Sequence, residues 1–214
     1  MAENELSNQE TRQRLLEAAG EVFSQRGFKD ATVREICSRA QANVAAVNYH
    51  FGDKQGLYSE TFKFWVQQAL EKYPPNMGVR ADSTPEEKLR AFIYSFLLRI
   101  LDTGKSGWYG KLISREMVDP TPVLDERVQD TVRPLIGQLM SIIRDIIGED
   151  ATDLQLRDAA ASVVGQILFY HNCRPTLDRL FPDLSFSPEQ IERLASHITK
   201  FTLAGLRSMR RVKG

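Results

Sequence analysis

Two kinds of residue set in this chain have types and spacing that suit chemistry. Between 43 and 48 stand Asn43, Val44, Ala45, Ala46 and Asn48, a cap former, three small apolar side chains and a second carboxamide. Side chains this small let a backbone approach a base edge, and a carboxamide can pair bidentately with adenine, so this set suits the reading of DNA. The second set is aromatic: Phe62, Trp65, Phe92, Phe96, Trp108, Tyr109, Phe169 and Tyr170 recur on helical segments with the polar Arg115, Glu116, Gln166 and His171 on or beside the same faces. Apolar walls with a few polar groups are what a pocket for a small organic molecule requires. An organic effector of drug-like size is therefore expected among Phe62, Trp65, Phe92, Phe96, Trp108, Glu116, Gln166 and Tyr170. A core with no ligand is the competing reading of the same aromatics.

Catalysis would need a nucleophile beside a base, paired carboxylates in a cleft, or clustered metal ligands. His50, His171 and His197 fall in different elements, and Cys37 and Cys173 have neither metal nor redox spacing. Gly104-Lys105-Ser106-Gly107 lacks the spacing of a phosphate-binding loop, and no strand precedes it. No enzyme activity, cofactor or metal is expected.

The elements that must hold the reading set are helices. Leu15, Ala18, Ala19, Val22 and Phe23 form one apolar face after a capping box at Ser7-Asn8-Gln9-Glu10, and Gly27 stops that helix. Val33, Ile36, Cys37 and Ala40 have the spacing of a buried stripe, which leaves Arg34, Glu35 and Arg39 for solvent or phosphate. Gln41 and Ala42 break the pattern, and Asn43 caps a new helix from Val44. Asp53 caps a fourth, apolar on two sides and ended by Pro74-Pro75, which suits a lever between a DNA head and a body.

Gly27-Phe28, Ala31-Thr32-Val33, Ile36 and the run Val47-Asn48-Tyr49-His50-Phe51-Gly52-Asp53-Lys54-Gln55-Gly56-Leu57 resemble the N-terminal domain of the TetR family of bacterial regulators. The resemblance covers residues 10 to 60. It implies an all-α chain: a three-helix helix-turn-helix domain, set at 1–55, followed by a larger helical effector-binding and dimerising domain at 56–214, about nine helices in total by periodicity. It also implies phosphate contacts at Thr32, Tyr49, His50 and Lys54. Gln41 departs from the family, which usually has glycine at the turn, and Asn48 stands where an aromatic is frequent. With Asp119-Pro120-Thr121-Pro122, Gly165-Gln166 and the run from 201 to 209, the second half is similar to the CerR-like C-terminal domain of one TetR subgroup.

In that half, Thr84-Pro85-Glu86-Glu87 starts a helix with a cap, an N1 proline and two acids. Pro134 predicts a kink in the helix that follows Thr121-Pro122. The segment from 154 to 173 is apolar or small almost all round and is expected to be buried, and Ser187-Pro188-Glu189-Gln190 reads as a capping box for the last helix. Ala160, Ala161, Gly165, Ala195 and Gly205 permit close helix packing, so the segments 154–173 and 188–209 are the expected homodimer interface. A two-fold dimer reads a palindromic double-stranded operator.

Lysine plus arginine equals aspartate plus glutamate at 28 each over 214 residues, so no global basic charge draws the chain onto nucleic acid. Residues 1–65 hold eight basic and nine acidic side chains, so the head is neutral too. Placement must then supply what net charge does not, with Arg34, Arg39 and Lys54 flanking the reading helix. The alternative is a TetR-like chain that has lost DNA binding and serves as a protein-interaction module. A polar, acidic start and the lack of any apolar run of spanning length imply no membrane segment and a cytoplasmic location.

Overall fold

The computed structural model describes residues 2–102, 104 and 107–209, with side chains from Ser7 onward. Lys105 and Ser106 and the basic tail of Arg210, Arg211 and Lys213 lie outside the described residues. Among those described, the chain forms eleven α-helices and no strand. It divides into two compact units, 1–71 with 103–125, and 72–102 with 126–214. These units do not coincide with the expected functional division at 55/56.

In the first unit α1 (Ala2–Asp30), α2 (Val33–Ala40), α3 (Val44–Phe51), α4 (Lys54–Lys72) and α6 (Trp108–Val118) close around Leu15, Leu16, Ala19, Val22, Phe23, Ile36, Val47 and Leu57. The capping box at Ser7–Glu10 is not used. Residues 2–6 already continue the helix, so the Ser7 carbonyl accepts from the Thr11 hydroxyl at 2.9 Å inside it. Gly27 interrupts α1 as expected, with φ 76° and ψ 177°, a conformation that glycine adopts without steric cost. Gly20 serves a different purpose: a Cβ there would lie 2.1 Å from Trp65 Nε1 and 2.9 Å from Trp108 Cε3. Its missing side chain is what lets two indoles lie against α1.

The second unit holds α5 (Pro85–Leu101), α8 (Arg133–Ile147), α9 (Asp153–Asn172), α10 (Arg174–Leu180) and α11 (Pro188–Met209), with the short α7 (Val123–Arg127) at the junction in sequence. Thr84 and Glu87 complete the capping box of α5 reciprocally. The kink expected at Pro134 takes the form of a π-helical turn at Val128–Val132, just before α8. Proline has no N–H to give the carbonyl four residues back, and the preceding turn widens. At α11 half of the expected box forms: Ser187 Oγ accepts from Gln190 N at 3.4 Å, but the Gln190 carbonyl oxygen takes the Ser185 N–H at 3.0 Å.

The expectation that α9 is buried all round is corrected. Leu156, Ala160, Val163 and Ile167 are buried, whereas Leu154, Ala161, Gly165 and Phe169 are exposed. Only one face of α9 is covered by its own chain, because α5, α8, α10 and α11 approach from that side.

Candidate nucleic-acid interface

The α2–α3 turn is built by short-range bonds. Thr32 Oγ1 accepts from Glu35 N at 3.2 Å and Asn43 Oδ1 accepts from Ala46 N at 2.9 Å, so each helix starts with a donor of its first turn satisfied. Between them Gln41 takes φ 51° and ψ 46°, the left-handed conformation that glycine would accept more readily. The turn geometry is thus kept without glycine, at a conformational cost.

Val47 and Phe51 anchor α3 in the core, at 0% and 9% exposure. The opposite face carries Asn43, Val44, Ala45, Asn48 and Tyr49, all exposed, with Ala46 and His50 half-buried. Tyr49 is 74% exposed and contacts His50 edge-on at 4.9 Å. At that exposure its hydroxyl and the outer part of its ring are open to an outside partner. Burial is the first cause that holds the His50 imidazole below its ordinary pKa, and the Arg12 cation is the second. Both causes favour the neutral imidazole, which can donate a hydrogen bond to a phosphate without adding charge.

The flanking cations differ among themselves. Arg34 is exposed and makes no ion pair among the described residues. Arg39, expected to flank the reading helix, is instead engaged by Glu21 at 2.8 Å and Glu35 at 2.9 Å. The Lys54 ammonium donates to the Lys29 carbonyl at 3.2 Å and lies 4.7 Å from the centre of the Phe28 ring. Arg26 pairs with Glu35, and Arg12 with Glu60. The neutrality of the head is therefore one of internal pairing.

The residues expected to bind an effector fall four and four: Phe62, Trp65, Trp108 and Glu116 in the first unit, Phe92, Phe96, Gln166 and Tyr170 in the second. Their polar groups are largely occupied within each unit. Glu116, 2% exposed, accepts from the Tyr58 hydroxyl at 2.6 Å, from Thr121 N at 3.0 Å and from Thr121 Oγ1 at 3.0 Å. Burial, and then the hydrogen bond to Glu116, push the Tyr58 phenol above its ordinary pKa. Trp65 Nε1 donates to the Leu16 carbonyl at 3.4 Å and meets Trp108 edge-to-face at 4.7 Å. Gln166 Nε2 donates to the Ser162 carbonyl at 3.2 Å and to Thr202 Oγ1 at 3.4 Å. Arg115, considered with this set, donates to the Gln25 carbonyl at 2.6 Å, close to the Gly27 break. Neither Tyr58 nor Thr121 was assigned from sequence as a partner of Glu116; Thr121 was read as the start of a helix, and Tyr58 falls on an apolar side of α4.

Among the described residues no group of three His, Cys, Asp or Glu could hold a metal ion, and no helix is long and apolar enough to cross a membrane. Cys37 and Cys173 form no disulfide, and burial raises the pKa of the Cys37 thiol.

Comparison with known proteins matches residues 15–61 to the family model of bacterial regulatory proteins of the tetR family. Residues 85–206 match the C-terminal domain of the HTH-type transcriptional dual regulator CecR, so the subgroup domain expected as CerR-like is CecR's. The chain is 26% identical over 203 residues to the dual regulator CecR of Shigella flexneri, covering 91% of this chain and 90% of that one. It is also 26% identical over 207 residues to the transcriptional repressor NicS of Pseudomonas putida, covering 92% of each. A TetR-like transcriptional regulator from Rhodococcus sp. RHA1 superposes with TM-score 0.69 at 19% identity, over 92% of this chain and 95% of that one. AibR, solved in complex with isovaleryl coenzyme A and operator DNA, superposes with TM-score 0.67 at 15% identity, over 89% and 97%. The two structural likenesses, at such identities, concern the fold alone.

Proposed function

This chain belongs to the TetR family of bacterial transcriptional regulators, with a C-terminal domain of the CecR type, and on that premise we propose that it is a ligand-responsive, sequence-specific repressor. In this reading a small organic effector releases it from a palindromic operator, it acts in the cytoplasm, and residues 1–55 and 56–214 divide the labour. The observation that carries it is the exposed face of α3, where Asn43, Val44, Ala45, Asn48 and Tyr49 have no covering element while Val47 and Phe51 hold the helix rigidly below. Asn48, Val44 and Ala46 read bases; Thr32, Arg34, Tyr49, His50 and Lys54 touch phosphates and set register. A solved protein of the same fold binds both operator DNA and an acyl coenzyme A, which supports the pairing of the two activities on this scaffold.

Two chains associate, in this proposal, through the open face of α9 and the small residues of α11. Leu154 and Phe169 of α9 and Phe201 of α11 are 56%, 49% and 67% exposed, large apolar side chains that a second copy would cover. Light scattering should report a dimer; a 24.3 kDa species at micromolar concentration would overturn this part. Release follows from linkage: an effector that favours one head spacing shifts the population, and the operator weakens effector binding by the same factor.

One observation favours the alternative, a protein-interaction module without DNA binding: Arg12, Arg26 and Arg39 are all paired within the head. A gel shift with sheared genomic DNA at two salt concentrations separates the readings. A regulator retains specific fragments and loses affinity with salt. A chain that retains none at low salt is not a DNA reader.

A further inference from the structure

We propose that Arg115 and Asp119, at the end of α6, are positioning residues for DNA binding: they fix the short stretch after Gly27, and that stretch aims the Lys54 ammonium at a phosphate. This rests on the regulator reading above. Every residue involved belongs to the unit of 1–71 and 103–125.

Lys54 differs from most cations of the head. Arg12, Arg26 and Arg39 are each paired with a carboxylate, whereas Lys54 makes no ion pair among the described residues. Its ammonium is held by two uncharged groups, the Phe28 ring at 4.7 Å from the centroid and the Lys29 carbonyl at 3.2 Å. A ring face and a carbonyl orient a cation without cancelling its charge. The side chain is half-buried, so its direction is set while its charge stays available. A phosphate can take the place of the carbonyl while the ring keeps its hold.

Phe28 and Lys29 stand just past the break at Gly27, so the helix before them does not place them. The end of α6 does, through three side chains. Arg115 donates to the Gln25 carbonyl at 2.6 Å, and a Cβ on Gly27 would lie only 3.6 Å from its Nη1. Asp119 accepts from the Lys29 ammonium at 2.7 Å. Between them Glu116 accepts from the Tyr58 hydroxyl, and the Tyr58 ring centre is 5.1 Å from that of Phe28. An exposed ion pair such as Lys29–Asp119 contributes little alone. Three holds within about one turn of α6 leave the stretch from Gln25 to Lys29 a single position against it. Residues 115–119 therefore act with the head, although the division at 55/56 assigns them to the body.

Two measurements on the full chain test this, the first without DNA. In nuclear magnetic resonance of isotope-labelled lysine, the Lys54 Cε protons, assigned by their absence in Lys54→Ala, should lie upfield of other lysines because that end of the side chain sits over the Phe28 ring. Combining Arg115→Met with Asp119→Asn should return them to the ordinary position. Both residues are exposed, so the fold is not at risk, and the pair of changes removes one charge of each sign and leaves the net charge as it was. The second measurement uses genomic fragments retained by the parent. The double variant should bind them about tenfold more weakly, the scale of one charge-assisted hydrogen bond, with a salt slope lower by about one unit. In a Lys54→Ala chain the same two changes should alter neither quantity, whereas a merely structural brace would add its own loss. Protons that stay upfield in the double variant, an unchanged slope, or a loss that persists in full without Lys54 would overturn the proposal. A parent that retains no fragment overturns the regulator reading instead, and the resonance position still decides whether α6 places Lys54.

Discussion

The exposed face of α3 and the last turns of α6, where Glu116 is buried, are both short helical stretches with polar side chains on an apolar scaffold, yet they use those side chains in opposite ways. On α3, Asn48 and Tyr49 are exposed, and among the described residues no hydrogen bond occupies the Asn48 carboxamide. On α6, Glu116 is buried and accepts from Tyr58, 58 residues earlier in the chain, and from Thr121. Polar groups left in water remain available to a partner, whereas burial demands that each be satisfied within the molecule. A residue type that suits a ligand is therefore a better guide to binding when it is exposed than when it is buried.

The buried side of this contrast is struck hardest at Gly20. Gly20→Val places methyl groups where Trp65 and Trp108 already stand, and it should cost about 3 kcal/mol or more, read as a fall in the midpoint of urea unfolding. A variant as stable as the parent would show that the indoles move aside freely.

On the exposed side, Asn48→Ala should leave stability unchanged and cost about 2 kcal/mol of preference at one base position if the carboxamide pairs with adenine. Loss spread evenly over operator variants would place Asn48 on the backbone instead. Lys54→Ala should weaken all sequences alike and lower the salt slope by about one unit, after its ammonium has exchanged the Lys29 carbonyl for a phosphate. An unchanged slope would leave Lys54 as a bracket between α4 and the end of α1.

Tyr58→Phe sharpens the contrast through pH. The Tyr58 pKa is raised in the folded chain, so the network contributes fully below the unfolded tyrosine value of about 10 and is lost as pH rises toward the folded one. The variant should be less stable by about 1.5 kcal/mol at neutral pH, for the loss of one charge-assisted hydrogen bond to a buried carboxylate that keeps only Thr121, and this deficit should shrink above pH 10. Urea unfolding at pH 7 and pH 10.5 measures it, and a deficit equal at both would remove the phenol from the account.

The smallest effect belongs to the turn. Gln41→Gly relieves a left-handed residue and should stabilise the head by about 0.5 to 1 kcal/mol with α3 unmoved, checked by thermal unfolding and by operator affinity. Destabilisation would mean that the Gln41 side chain contributes more than its backbone costs.

Sequence by itself determined what is settled within a turn or two of chain. The stop at Pro74-Pro75, the caps at Asn43 and Thr84 and the break at Gly27 depend on residues at most four apart, and each was legible from residue type and spacing. The same locality misled at Ser7–Glu10, where a cap signal lies inside a helix that already has upstream residues to continue it. Tertiary structure alone decided that Arg39 is engaged by Glu21, that Glu116 meets Tyr58, that Gly20 makes room for two indoles, and that α9 keeps one face open. Those outcomes depend on where helices distant in sequence cross. Periodicity states which face of a helix is apolar, but only the packed fold states which partner that face and its polar neighbours meet.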